Sequence, residues 1–396
     1  MKKVLWVIPI ILFFLAACGS VTPVASPSST IPSTFTPIPS QTPSLTPSPL
    51  PTATQTPIYL KDLGNLGQIL FSDKEGKTWL VNADGSDAHE YSISGNMSPD
   101  GQYMVNRKMD PGFYITNGQV FVLEIYSAGH LINEITVEME GGVDTYLSEL
   151  TWSPDNKNIA FFYQNDVYLV QPENSNITKL SNHNKQEFYC SHMQWSPSSQ
   201  KITFHCGSNI DPELHGIYIL TASTKQMNFI PVAYDSYSLA WTPDEEHLFF
   251  VGFCSIVGNE SSYDKDTVYV VDSDGRNLVE YWGVRSNADL ILSPDGKYIA
   301  FSGLDPYDHN GDEIFLIDNN NLSLLADNQS DTSKFKLILI TDNRSNDSHP
   351  SWSPDSKYIV FSSDTGRSGL FVVSLYDKKE RQLLDYGKDP TWLPNP

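Results

Sequence analysis

Positive charge is scarce in these 396 residues: 25 Lys and Arg stand against 47 Asp and Glu, a formal net charge of -22. Nucleic acid and anionic lipid surfaces attract clusters of Lys and Arg, so composition excludes this chain as a non-specific binder of either. Cysteine is sparse, at four residues, and no Cys-x-x-Cys pair frames a zinc or redox site. The common catalytic signatures are missing: there is no Gly-x-Ser-x-Gly elbow, no His-Glu-x-x-His and no Walker loop. What is present is 40% hydrophobic and 12% aromatic content with 26 Pro and 24 Gly, enough for a large core and suited to a strand-rich, turn-rich chain.

The N-terminus begins Met-Lys-Lys, continues in an apolar run from Val4 to Ala17, and reaches Cys18-Gly19-Ser20. That is the layout of a secretory signal. Fourteen helical residues span about 21 Å, short of the roughly 30 Å hydrocarbon core, and Pro9 interrupts them, so cleavage is expected over spanning. Leu15-Ala16-Ala17-Cys18 resembles the bacterial lipobox. The resemblance implies a signal peptide over residues 1–17 and a lipidated Cys18 as mature N-terminus. More than one acyl chain on Cys18 would anchor the protein without crossing the bilayer. Ser20 to Pro57 then holds 10 Pro, 8 Ser and 9 Thr among 38 residues, and no charge. No core can form from that composition; the segment 18–57 reads as a stalk that reaches about 120 Å if fully extended as polyproline II. The expected location is the extracytoplasmic face of the cell membrane, lipid-anchored.

From residue 58 to 396 the chain repeats itself. Trp152-Ser153-Pro154-Asp155 leads into Ile159-Ala160-Phe161, and the pattern returns at Trp195-Ser196-Pro197, Trp241-Thr242-Pro243-Asp244, Ser293-Pro294-Asp295-Gly296 and Trp352-Ser353-Pro354-Asp355. Met97-Ser98-Pro99-Asp100-Gly101 is a degenerate copy and Trp392-Leu393-Pro394 the last. Successive Pro residues lie 55, 43, 46, 51, 60 and 40 apart, the length of one four-stranded blade. Pro ends a strand, the polar pair turns the chain, and alternating apolar residues start the next strand. Such a sheet is apolar on both faces and can be buried only between two neighbours, so the blades must form a ring. Trp392 and Pro394 supply an inner strand with nothing after it. Gly67–Ser72, Lys77–Val81 and His89–Ile93 supply three strands with nothing before them. The fold expected is therefore all-β: a seven-bladed β-propeller of four-stranded antiparallel blades whose closing blade is shared by the two ends, with six or eight blades as the alternatives.

Over residues 60–396 these repeats resemble those of TolB-type propellers, a class of WD-repeat-like proteins. The resemblance implies an extracytoplasmic partner-binding scaffold, or a propeller that gates an enzyme. The seven blades counted here differ from the six of TolB.

Within each repeat, the residue three before the Trp enters the innermost strand; these are Ser94, Glu149, His192, Ser238, Asp289, His349 and Asp389. Equivalent positions in a ring converge on the channel mouth. There Glu149, His192, Asp289, His349 and Asp389 could bind a divalent cation, or a basic group of a partner. A local role competes with this, because Asp389-Pro390 and His349-Pro350 also start turns. No other cofactor is implied. Asp308, Asn310 and Asp312 faintly resemble a Ca²⁺ loop, but Gly311 is misplaced and a solvated hairpin turn is expected. Ser72–Trp79 resembles the sialidase Asp-box with Lys74 where its Asp should stand, and is read as a hairpin. An uninterrupted register around the Ser196–Gln200 turn sets Trp195 opposite Lys201 and Cys190 opposite Cys206, so a disulfide can form in an exported compartment. A one-residue bulge would spoil that register. Free thiols, or a metal site with His192 and His205, remain open, and Cys254 has no obvious partner. The expected role is a binding or scaffold propeller for an extracytoplasmic protein or envelope component, without nucleic acid. The alternative is an enzyme acting on polysaccharide or peptide at the propeller mouth.

Overall fold

The computed structural model describes residues 60–109, 118–140, 147–182, 188–208, 211–232, 236–252, 267–283, 290–304, 311–319 and 337–395. The expected signal peptide, Cys18, the stalk, Cys254, Asp289 and residues 305–310 of the Ca²⁺-like loop lie outside them. The described strands form seven four-stranded antiparallel sheets, the blades of a seven-bladed β-propeller. Blade 1 joins Lys388–Leu393 to Gln68–Ser72, Thr78–Asn82 and His89–Glu90. Blades 2 to 7 follow in chain order, with innermost strands Asn96–Met97, Leu147–Trp152, Phe188–Trp195, Ser236–Trp241, Ile291–Leu292 and Asn346–Trp352. Among the described residues no helix is long and apolar enough to cross a membrane.

The Ser-Pro-Asp repeat is a turn with a fixed hydrogen-bond pattern. In blade 3 the buried Ser153 hydroxyl accepts the Asn158 N–H (3.0 Å) and donates to Asp155 Oδ1 (2.6 Å). Ser98, Thr242, Ser293 and Ser353 repeat both contacts. Burial disfavours the Asp155 and Asp295 carboxylates. Hydroxyl and amide donors, with Lys157 and Lys297 alongside, outweigh it and hold both below the ordinary aspartate value. Three residues after each Ser or Thr, the backbone is left-handed, at Gly101, Asn156, Ser199, Glu245, Gly296 and Ser356. Side chains at that place cap an amide in the preceding blade's turn: Asn156 takes Asp100 N–H, Ser199 takes Asp155 N–H, Glu245 takes Ser198 N–H and Ser356 takes Asp295 N–H. At Gly296, Pro243 of blade 5 approaches so closely that an added Cβ would lie 2.5 Å from its ring.

There is no single central core. Apolar clusters lie between successive blades, and the period of two along a strand divides each strand between two of them. Ile159, Phe161 and Tyr163 of blade 3 pack with Val105, Phe121 and Leu123 of blade 2, whereas Ala160 and Phe162 pack with Ile202, Phe204 and Trp195 of blade 4. The same division places Phe249 and Val251 against blade 6 and Leu248 and Phe250 against blade 4. Each fully buried Phe or Ile contributes about 1.5–3 kcal/mol by leaving water.

The repeat Trp ties blades by its indole N–H. Trp152 donates to Asn96 O (3.0 Å), Trp195 to Thr151 O (3.3 Å) and Trp352 to Ile291 O (2.9 Å), each in the inner strand of the blade before. In blade 5 the equivalent acceptor, Gln194 O, already takes the Thr203 hydroxyl. The buried Trp241 Nε1 makes no hydrogen bond, and Lys201 Nζ sits over the Trp241 ring, 5.3 Å from its centroid.

The last Trp closes the ring. Ile69 pairs with Trp392 and Gln68 with Leu393, as expected from the two chain ends. The Trp392 indole donates to Leu66 O (2.9 Å), its backbone N–H donates to Ser351 Oγ (2.9 Å) in blade 7, and its ring stacks on Tyr358. Gly67 has φ 105°, and a Cβ there would fall 2.0 Å from Leu393 O, so this approach requires glycine. Replacing Trp392 with Ala removes a buried indole, its hydrogen bond to Leu66 O and its stacking on Tyr358. The expected loss is about 3–5 kcal/mol of unfolding free energy in urea titration.

Candidate functional site

The inner-strand residues singled out by sequence share a backbone state as well as a position. Glu149, His192, Ser238, His349 and Asp389 have φ of 50°, 60°, 45°, 52° and 51°. At each, the pairing of the inner strand with its neighbour slips by a bulge. A left-handed non-glycine residue costs about 1 kcal/mol or more. At Glu149, Ser238 and His349 the side chain offsets that cost with a tie to the next blade. Glu149 Oε1 and Oε2 accept the His192 and Met193 N–H groups (2.9 and 2.8 Å), linking blades 3 and 4. The Ser238 hydroxyl accepts Leu290 N–H (2.7 Å), linking blades 5 and 6. His349 Nδ1 lies 3.4 Å from Asp389 Oδ1, linking blades 7 and 1.

The structure thus brings the expected ring residues together in pairs. Ser94 is exposed and belongs to no strand, and His192 sits with Nδ1 2.8 Å from the hydroxyl of its neighbour Ser191. The Glu149, Ser238 and His349 side chains cap or pair with the following blade. Among the described residues, three metal-capable groups meet at Asp244, Glu246 and His247 in the blade 5 turn. Asp244 Oδ1 already accepts the Thr242 hydroxyl and the Glu246 N–H.

Cys190 and Cys206 form a disulfide across the first two strands of blade 4, with Cα atoms 4.1 Å apart. The register that leads there corrects the sequence reading. Trp195 pairs with Ile202, not Lys201, and the bulge between Ser191 and Gln194 restores Cys190 opposite Cys206. A bulge expected to break the pair therefore makes it. The disulfide also removes both sulfurs from any metal site with His192 and His205.

The Asp-box-like hairpin is a hairpin, with Asp73 at its hub. Asp73 Oδ1 accepts the Glu75 and Lys77 N–H groups (both 2.9 Å), and Oδ2 accepts the Trp79 indole (2.8 Å). Burial opposes ionisation, but the Trp79 and backbone donors prevail and hold the Asp73 carboxyl below the ordinary aspartate value. Of the Ca²⁺-like run, Asp312 is described and pairs with Leu304 in blade 6; its neighbour Glu313 is buried and accepts the Thr341 hydroxyl (2.6 Å) and the Asn343 and Arg344 N–H groups. Burial, assisted by Asp347, raises the Glu313 carboxyl above its ordinary value.

Beside the His349–Asp389 pair a cleft of about 280 Å³ opens between blades 7 and 1. Asp73, Lys74, Lys388 and Asp389 line it from blade 1, Ser348, His349, Ser362, Asp364 and Ser368 from blade 7, and Tyr386 from the segment joining them. Behind the blade 7 wall, Arg367 contacts both oxygens of the fully buried Asp347 at 3.1 Å, bonds Glu380, and lies over the Phe371 ring. These contacts fix the wall. The cleft escaped sequence reading because Asp73 and Lys74 come from the opposite end of the domain to the rest of its lining; Asp389, His349 and the Ser72–Trp79 hairpin pointed to it only separately.

No protein-family model and no curated protein matches the chain in sequence. In fold it is a seven-bladed β-propeller, and solved structures resemble it. The propeller domain of the trilobed protease of Pyrococcus furiosus, described as having an open velcro topology, is 12% identical over 81% of this chain and 93% of that one, with a TM-score of 0.51. Oligogalacturonate lyase of Vibrio parahaemolyticus is 12% identical over 80% and 85%, also with a TM-score of 0.51. TolB of Acinetobacter baumannii is 16% identical over 81% and 79%, with a TM-score of 0.44. At such identities these likenesses show the fold alone.

Glu149→Ala leaves two inner-strand amides without their acceptor, and is expected to lower stability by about 1–2 kcal/mol in urea titration. Glu149→Gln, which keeps one carbonyl oxygen, is expected to lose about half as much.

Proposed function

We propose that this protein is a lipid-anchored, extracytoplasmic binding or scaffold propeller for a protein or other envelope component. One observation carries the reading: among the described residues, polar side chains at the inner-strand bulges tie blade to blade, as Glu149 does to His192 and Met193 and Ser238 to Leu290. Such ties suit a rigid platform. The lipobox-like Leu15–Cys18 and the uncharged stalk to Pro57 support placement outside the cytoplasmic membrane, held off its surface. The test places a photo-crosslinking residue at Lys74 in the full chain, with and without Cys18→Ser. An envelope component crosslinked in the membrane fraction, with the protein released to the soluble fraction by Cys18→Ser, is the expected result. No crosslink from Lys74 in intact cells counts against binding; a Cys18→Ser protein that stays with the membrane counts against the anchor.

A catalytic reading has one observation in its favour. Asp389 stands 3.4 Å from His349 Nδ1 at the wall of the cleft, a placement that can orient an imidazole as general base toward polysaccharide or peptide. It requires turnover of a glycan or peptide substrate that disappears in His349→Gln; a panel without such conversion removes it.

A further inference from the structure

The cleft between blades 7 and 1 has an unequal supply of donors and acceptors. Three of its serine hydroxyls donate away from it: Ser362 to Ser348 O (3.2 Å), Ser363 to Asp347 Oδ1 (2.6 Å) and Ser368 to Asp385 O (3.4 Å). What these serines offer a ligand is lone pairs, and the Asp364 carboxylate adds more. Positive charge comes from Lys74 and Lys388, neither of which has a carboxylate partner among the described residues. In a chain of net charge -22, two unpaired lysines on one wall make a local exception. The cleft carries carboxylates as well: Asp73 is held by three N–H groups, Asp389 lies against His349 and Asp364 accepts the Thr365 hydroxyl, so a ligand there must bring hydrogen-bond donors together with its anionic group. Tyr386 supplies an apolar face, held edge-on by Phe71 and Trp79 at centroid distances of 5.7 and 5.9 Å.

We propose that this cleft binds an acidic saccharide, a hydroxylated ring carrying one carboxylate or phosphate group. The sugar's hydroxyls supply the hydrogens that the serines and Asp364 lack, its anionic group meets Lys74 and Lys388, and its C–H face lies on Tyr386. Other ligands satisfy only part of the wall. A bare phosphate would bring its charge to Asp73, Asp364 and Asp389 with only one or two hydroxyls to offer, an ammonium ligand would leave Lys74 and Lys388 unmatched, and a peptide backbone brings as many acceptors as donors. The volume, about 280 Å³, is at the small end for ligand sites and limits the occupant to roughly one or two rings. This names the ligand of the binding reading above and rests on it.

The experiment is calorimetric titration of the full chain in detergent with glucuronate, glucose 6-phosphate, glucose and acetate. At least one acidic sugar is expected to bind about ten-fold or more tightly than either glucose or acetate. The double variant Lys74→Gln/Lys388→Gln, which touches only exposed side chains, is expected to erase that preference with an unchanged melting temperature. Carboxylate and phosphate are told apart by which sugar binds. Acidic sugars that bind no better than glucose and acetate, or binding indifferent to the double variant, overturn the proposal. If sugars fail while the Lys74 crosslink persists, the ligand class alone falls; if both fail, the binding reading falls with it.

Discussion

The constraint on which the molecule rests is that each sheet has two apolar faces and no core of its own. A strand such as Ile159–Tyr163 is buried at every position, and its odd and even residues belong to different clusters, so neither neighbour can be removed without exposing half of it. Burial on this scale contributes far more than any hydrogen bond in the ring, and it is satisfied only when every blade has one on each side. Closure by Lys388–Leu393 on Gln68–Ser72 follows from that need, since an open stack would leave two apolar faces and two sheet edges in water.

Within this frame the polar residues of the repeat act between blades. Hydrophobic contact is non-directional and would let adjacent sheets slide; the turn caps from Asn156, Ser199, Glu245 and Ser356, the indole bonds from Trp152, Trp195 and Trp352, and the bulge ties from Glu149 and Ser238 are directional and fix the offset. The left-handed residues at the bulges are part of the same device, because a regular ladder would turn those side chains along their own sheet.

The chain runs from the outer strand of blade 7, Glu380–Leu384, straight into Lys388–Leu393, the inner strand of blade 1; the break in covalent continuity lies inside blade 1, where that strand pairs with Gln68–Ser72. Lys388 thus comes beside the hydroxyls of blade 7 along the chain, and Lys74 through that pairing. The buried Arg367–Asp347 pair stiffens the blade 7 side. A cleft at such a place is formed by rigid walls, and its chemistry is independent of the repeat that builds the rest.

Sequence alone determined the blades, their number and the closing pair, because spacing, turn residues and period-two burial are local properties repeated often enough to be read. It also singled out Glu149, His192, Ser238, His349 and Asp389 as equivalent. What those side chains touch was decided by the tertiary structure: whether Glu149 meets a cation or the amides of His192 and Met193 depends on how far one blade is offset from the next. The same holds for Cys190 and Cys206, where two slips of register cancel, and for the seam cleft, where closing the ring sets Asp73 and Lys74 beside residues some 275–315 positions later. Local pattern fixes what a strand must bury; distances between strands from different repeats are set by packing, which no single segment encodes.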